Sequence, residues 1–239
     1  MPYTPDRTGI KDLNRFPFYH RDRLTDDIAN DIIGFDHPIN PWAPANIPGG
    51  AGSWSTSLAA GGTFETTTYP HFLQTSVNAV ATAQYLQWTN AAAKYSMRAN
   101  IAVGIWNATG DNNLLYEIRL WETQAPGAAT KYFAFRWNKI ANHLSFATYY
   151  GTGITFAYNN GTINGAGVYL AWGQPYQCRL TINPAGGPLA TYDISESEGY
   201  ISMFSTTSNA GVPAGFKTVW FYQPATIQTQ ALIDDIQLY

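Results

Sequence analysis

Charge is scarce in this chain. Asp, Glu, Lys and Arg together make up 12% of the 239 residues, where an ordinary globular domain carries about 25%. Thirteen basic residues stand against sixteen acidic ones, so no strong positive field exists and a nucleic-acid partner is excluded on that ground. Cysteine is almost missing as well. Cys178 is the only one, which rules out an internal disulfide and a cysteine-based zinc site. It alternates with apolar residues in Tyr176-Gln177-Cys178-Arg179-Leu180-Thr181-Ile182 and reads as a small buried hydrophobe. The four histidines, His20, His37, His71 and His143, show no metal-motif spacing. No apolar run is long enough to cross a bilayer, so no membrane partner is expected. Met1–Arg7 lacks the apolar stretch of a secretory signal. There is no serine elbow and no phosphate-binding glycine loop.

Carboxylate pairs are also lacking. A retaining glycosidase holds two carboxyl groups about 5 Å apart, and on a strand that requires an i, i+2 or i, i+4 spacing. Glu196-Ser197-Glu198 has the spacing, but in a Ser/Gly-rich stretch that reads as a solvated loop. The sequence therefore predicts no catalytic residues and a protein that is not an enzyme.

What charge there is lies at the N-terminus. Residues 1–36 hold twelve of the twenty-nine charged residues, and the other 203 residues hold seventeen. Pro2, Pro5 and Pro17 argue against an early helix, while Leu24 to Ile33 has the capping residue, acidic first turn and terminal Gly34 of a short one. Pro38, Pro41, Pro44 and Pro48 then favour extended chain. Residues 1–50 are thus a charged, Pro-rich arm and linker, and residues 51–239 a separate domain. The arm mixes aromatic and charged side chains at Arg15, Phe16, Phe18, Tyr19, Arg21 and Arg23. It either folds back over its own domain or docks through these residues on a neighbouring subunit.

After residue 50 the pattern is strand, turn, strand. Tyr95, Met97, Ala99, Ile101, Val103 and Ile105 share one face of a strand; Leu114, Tyr116, Ile118 and Leu120 share one face of the next. Further strands are predicted over 131–137, 144–150, 154–158, 168–172, 176–182, 190–194, 201–204, 219–222 and 232–239. Asn- and Gly-rich turns separate them. No segment beyond residue 36 has a helical period, and Ala91-Ala92-Ala93 supports one helical turn at most. The fold class is all-β: an antiparallel two-sheet sandwich with an extended N-terminal arm.

The strand order resembles the concanavalin A-like lectin/glucanase jelly roll, which includes laminin-G-like domains. The strands at 95–105, 114–121, 131–137, 144–150 and 176–182 carry the resemblance. So does the closing Ala231-Leu232-Ile233-Asp234-Asp235-Ile236-Gln237-Leu238-Tyr239. The resemblance implies a jelly-roll fold that hosts lectins, hydrolases, lyases and structural modules alike. It also implies that a structural Ca²⁺ could sit near Asp234 and Asp235, although pairing with an Arg or capping a turn is the favoured role for those residues. No other cofactor or metal is expected. Lyases of this fold group Arg, Gln, His and Tyr on one sheet; Arg119, Gln87, His143 and Tyr150 are the candidates, but the spacings of the lyase motifs are absent.

Glu117, Arg119 and Trp121 alternate onto one face and suit a sugar, through hydrogen bonds from the charged pair and stacking from the indole. Trp106, Trp121, Trp137 and Trp220 are the candidate outward aromatics, and Trp137 joins the carbohydrate set. The leading expectation is a non-catalytic virion protein, a phage capsid decoration or tail-associated subunit. Its partners are other protein subunits, in a homo-oligomer or capsid lattice. A carbohydrate-binding module, in the virion or extracellular, is the alternative, with a glycan partner; a polysaccharide lyase or hydrolase ranks last.

Overall fold

The computed structural model describes residues 32–33, 52–60, 63–66, 73–75, 82–107, 113–140, 143–152, 155–159, 162–163, 166–167, 169–170, 172–174, 176–183, 185, 190–195, 201–206, 212–225 and 228–239. Among them every regular element is a strand. The first five are β1 (Ile32–Ile33), β2 (Ser53–Ser57), β3 (Phe64–Thr66), β4 (Leu73–Thr75) and β5 (Gln84–Lys94). The long central strands are β6 (Ser96–Asn107), β7 (Asn113–Trp121), β8 (Lys131–Ile140) and β9 (His143–Thr152). Then come β10 (Thr155–Asn159), β11 (Thr162–Ile163), β12 (Ala166–Gly167), β13 (Tyr169–Leu170) and β14 (Tyr176–Ile182). β15 (Ala190–Ser195), β16 (Ile201–Thr206), β17 (Phe216–Gln223) and β18 (Gln228–Leu238) complete the chain.

They form two antiparallel sheets. The first runs β16-β15-β14-β6-β18-β4-β3, with β1 also on β18. The second runs β10-β9-β8-β7-β17-β5-β2, with β13 on β9. The architecture is the two-sheet sandwich that the alternation predicted, in the jelly-roll form that the resemblance implied. The inner faces meet in one core that includes Leu86, Trp88, Met97, Ile101, Tyr116, Ile118, Phe133, Phe135, Trp137, Phe146, Leu180 and Phe221. Burying each large apolar side chain stabilises the fold by about 1.5–3 kcal/mol, which is why a chain with so little charge folds around its rings.

Four local expectations are corrected. Ala91–Ala93 are strand, not a helical turn: they end β5, whose buried Gln84, Leu86, Trp88 and Asn90 alternate with more open neighbours. They lie between Thr89 and Lys94, which both pair with β17 across a register shift, so the strand continues through the alanines. Tyr95 does not face the core but is 46% exposed. It is the single residue between β5 and β6, where the chain passes from one sheet to the other. Leu114 does not face fully inward either. The β7–β8 register shifts between Leu114 and Tyr116, and Leu115 enters the core instead. Finally, Ile32 and Ile33 do not end a helix: they pair with Gln237 and Ile236 of β18. The arm residues Arg15, Phe16, Phe18, Tyr19, Arg21 and Arg23 lie outside the described residues.

Close packing accounts for one glycine. A Cβ on Gly52 would stand 2.4 Å from the ring of Trp88, which is fully buried, so this approach to the core admits no side chain. Gly173 has a φ of 67° and donates its N–H to the Val103 carbonyl at 2.9 Å, a left-handed turn that favours glycine.

Candidate functional site

The second sheet turns its other face outward, and its register shows which residues share that face. On β7 they are Glu117, Arg119 and Trp121. Directly across on β8 stand Arg136, Ala134 and Tyr132. On the other side, β17 places Tyr222, Trp220 and Thr218 opposite the same three residues. β5 continues the rows with Tyr85, Gln87 and Thr89, and β2 closes them with Ser57, Ser55 and Ser53. The expected outward alternation of Glu117, Arg119 and Trp121 is therefore present, and the sheet adds neighbours from four more strands.

These side chains hold one another in place. Glu117 is fully buried. Its Oε2 accepts from Arg119 Nε at 2.7 Å and its Oε1 from Arg136 Nη2 at 3.1 Å. Arg119 Nη2 also lies 2.7 Å from Oε2. The Arg119 guanidinium sits 3.8 Å above the centre of the Tyr222 ring and 6.0 Å from that of Tyr132, within cation–π range. Burial, the largest single influence, would lower the Arg119 pKa; Glu117, Tyr222 and Tyr132 together outweigh it, and the net direction is upward. Arg119 is thus a fixed, permanent cation.

Beside the charges lies an aromatic cluster. Tyr85 and Trp220 stack at 4.2 Å with their planes 7° apart. Trp121 packs edge-on to Trp220 at 5.0 Å and against Tyr132 at 4.3 Å. Trp220 Nε1 donates to Gln87 Oε1 at 2.7 Å, and Gln87 Nε2 donates to Thr89 Oγ1 at 2.9 Å. Both rotatable groups are locked by these bonds, which reduces the ordering cost of receiving a ligand.

Three of the expected site residues change role. Trp137 is not outward: it is 1% exposed in the core, packed against Tyr116 and Phe146. Trp121 lies on the outer face but is 5% exposed, so it is the floor of the cluster rather than a stacking platform. Glu117 is fully buried, so no sugar hydroxyl reaches it; its oxygens turn to the two arginines. Of the four, Arg119 lies on the outer face with 17% of its side chain open.

Of the lyase candidates, Arg119 and Gln87 share the outer face, one on either side of Trp220. Tyr150 packs against the core instead. The side chains of His143, Trp106, Asp234 and Asp235 lie outside the described residues, as does the Glu196–Glu198 segment. Among the described residues no group of three or more His, Cys, Asp or Glu gathers as metal ligands.

Sequence reading missed Arg136, Tyr85 and Tyr222 as site residues. Arg136 carried a usable signal, because a charged residue between Phe135 and Trp137 marks the solvent side of β8. Tyr222 follows Trp220 at i+2, which also places it on the same face.

No family model and no curated protein matches the chain. Solved structures do. A double mutant of the alginate lyase Aly36B, in complex with alginate trisaccharide, has a TM-score of 0.58 at 10% identity, over 87% of this chain and 96% of that one. Aly36B itself scores 0.54 at 9% identity, over 87% and 95%. The lectin UEA-II, complexed with galactose, scores 0.48 at 11% identity, over 84% and 97%. At such identities the likeness concerns architecture: the chain has the concanavalin A-like jelly-roll fold.

Proposed function

We propose that the protein is a saccharide-binding module whose ligand lies across the outer face of the β2-β5-β17-β7-β8 sheet. The observation that carries this reading is the row Gln87–Trp220–Arg119 flanked by Tyr85 and Tyr222. Aromatic carbon for the faces of sugar rings stands next to fixed donors and acceptors for their hydroxyls. The outer face of the first sheet differs. Its described side chains pair Arg179 with Asp193 at 2.9 Å and Gln177 with Asn100 at 3.0 Å. Further support comes from Aly36B, a protein of the same fold that holds a saccharide.

Binding without turnover is the reading we favour. The one carboxylate among the described residues of the face, Glu117, has both oxygens engaged by arginines, which leaves no acid pair of the kind glycosidases need. The test is a glycan array, followed by titration of the best ligand into the wild type and Trp220→Ala. We expect affinity to fall by ~30-fold, the equivalent of about 2 kcal/mol for losing a central aromatic, with no new chain ends formed. Cleavage of the bound polymer would replace this reading with a lyase or hydrolase.

A virion role is a second reading, favoured by the charge-poor domain: seventeen charged residues in 203. In that setting the arm would dock on neighbouring subunits while the glycan face points outward.

A further inference from the structure

We infer that Trp121 and Thr123 frame a subsite for a single hydroxyl of the saccharide, next to the Trp220 cluster, and that this contact selects among neutral sugars. The inference rests on the glycan-binding reading of this face and deepens it, by naming the residues that read a hydroxyl.

Trp121 Nε1 and Thr123 Oγ1 are both buried, and neither has a hydrogen-bond partner among the described residues. Trp121 as a whole is 5% exposed. Buried polar side chains are paired in the large majority of cases, because an unpaired one forfeits the bonds that water gave it. Two such atoms on residues so close in the chain are a demand that the fold itself does not meet. An indole N–H only donates, whereas a threonine hydroxyl accepts as well as donates. One sugar hydroxyl answers both: its oxygen accepts from Nε1 and its hydrogen goes to Thr123 Oγ1. A deoxy position offers neither bond, and an O-methyl group offers only the first.

The two residues border the proposed ligand face. Trp121 ends β7 and packs edge-on to Trp220 at 5.0 Å. Thr218 stands directly opposite it on β17. Thr218 Oγ1 donates to the Thr123 carbonyl at 2.8 Å, which ties the chain after β7 to this end of the face. The neighbouring indoles are not alike. The Trp220 N–H is taken up by Gln87, so of these two only Trp121 has a donor to give. The row Ser53–Thr89–Thr218–Trp121–Tyr132 carries no charged side chain, which suits a neutral hydroxyl. Thr123 is half-buried, and Gln124 and Ala125 after it are exposed. Among the described residues no hydrogen bond holds the Thr123 side chain, so its rotation uncovers the pair without breaking one.

The experiment uses the full chain and neutral tetrasaccharides of β-1,4-linked glucose, mannose and galactose. Indole N–H resonances are followed by NMR during titration, with the Trp121 signal assigned by its loss in Trp121→Phe. We expect that signal to move, and to gain protection from solvent exchange, when sugar binds. Thr123→Val keeps the shape of the side chain and deletes its hydroxyl. It should weaken binding ~10-fold, the scale of one hydrogen bond, and Thr123→Ser should restore it. Among monodeoxy forms of the best tetrasaccharide, one should bind the wild type ~10-fold more weakly than its parent, because a site built to bond a hydroxyl rejects the analogue without it. Thr123→Val should not tell that form from its parent. If Thr123→Val fails to fold, the indole titration of the wild type decides. A Trp121 signal that stays in place while the Trp220 signal moves would overturn the inference and leave the glycan reading intact, as would unchanged affinity in Thr123→Val. A Trp121 N–H protected before any sugar is added, and unaltered by titration, would mean a permanently held water and would overturn it too. Binding of no sugar, in solution or on the array, would overturn both.

Discussion

Cys178 lies on β14 with its side chain fully buried, and its thiol donates to the Ala99 carbonyl at 3.5 Å. Burial is the largest influence on it and pushes its pKa from 9.0 up to about 12, against small opposing contributions from hydrogen bonds with its own backbone and Ala99. The folded state therefore keeps a proton that the unfolded chain releases. Stability from this group is complete below pH 9 and falls as pH rises toward 12, by ~1.4 kcal/mol per pH unit. The buried Tyr116 hydroxyl, raised well above 10.0 by desolvation, adds loss in the same direction at higher pH. Urea unfolding between pH 8.5 and 10 should show this decline in the wild type and a flatter profile in Cys178→Ala. A thiol reagent should label Cys178 only after unfolding. Prompt labelling of the native protein would contradict the burial argument.

β8 shows what one strand can hold on two faces. Tyr132, Ala134 and Arg136 point to the outer cluster, while Phe133, Phe135 and Trp137 point to the core. Both sets contain aromatics, and only Arg136 breaks the symmetry. A shift of one residue would exchange the faces, and the Glu117–Arg136 contact between β7 and β8 at 3.1 Å stands against it. Trp137→Ala should cost ~3–5 kcal/mol of stability, as expected for deleting a buried ring, and should leave ligand affinity unchanged in the molecules that remain folded. Chemical denaturation and ligand titration separate the two effects. A variant of unchanged stability with lost binding would place Trp137 back on the outer face.

At the scale of the whole molecule, β18 ties the first sheet together. It pairs with β6 along most of its length, with β4 at Leu232 and Ile233, and with β1 at Ile236 and Gln237. Its Ala231, Ile233, Ile236 and Leu238 fill the core. The backbone of Tyr239 exchanges bonds with Ser96 and also accepts from the Tyr95 N–H at the crossing between sheets. Deleting residues 228–239 should thus abolish cooperative thermal unfolding, because it removes the strand that joins β6, β4 and β1. Deleting residues 1–31 should leave the transition in place, since none of the bonds just named involves them. Calorimetry of the two truncations is the measurement; a cooperative transition in the first would show that the sheet closes without its last strand.

The two-residue rhythm of apolar side chains determined the strands, the all-β class and the sandwich, because alternation on a pleated chain leaves one greasy face that must find another. It also determined that Arg119 and Trp121 share a face. Sequence spacing was blind wherever both faces of a strand are apolar, as at Trp137, or where an inserted residue resets the parity, as at Leu115. It did not mark β5 as a strand, whose pairing with β2 and β17 forms only when the sheet does. The site itself was decided by tertiary structure. Glu117, Arg136, Trp220 and Tyr85 lie on four strands that meet only when the sheet forms. Whether Glu117 faces a ligand or its own arginines depends on that meeting, since a buried carboxylate must be paired with the nearest cation.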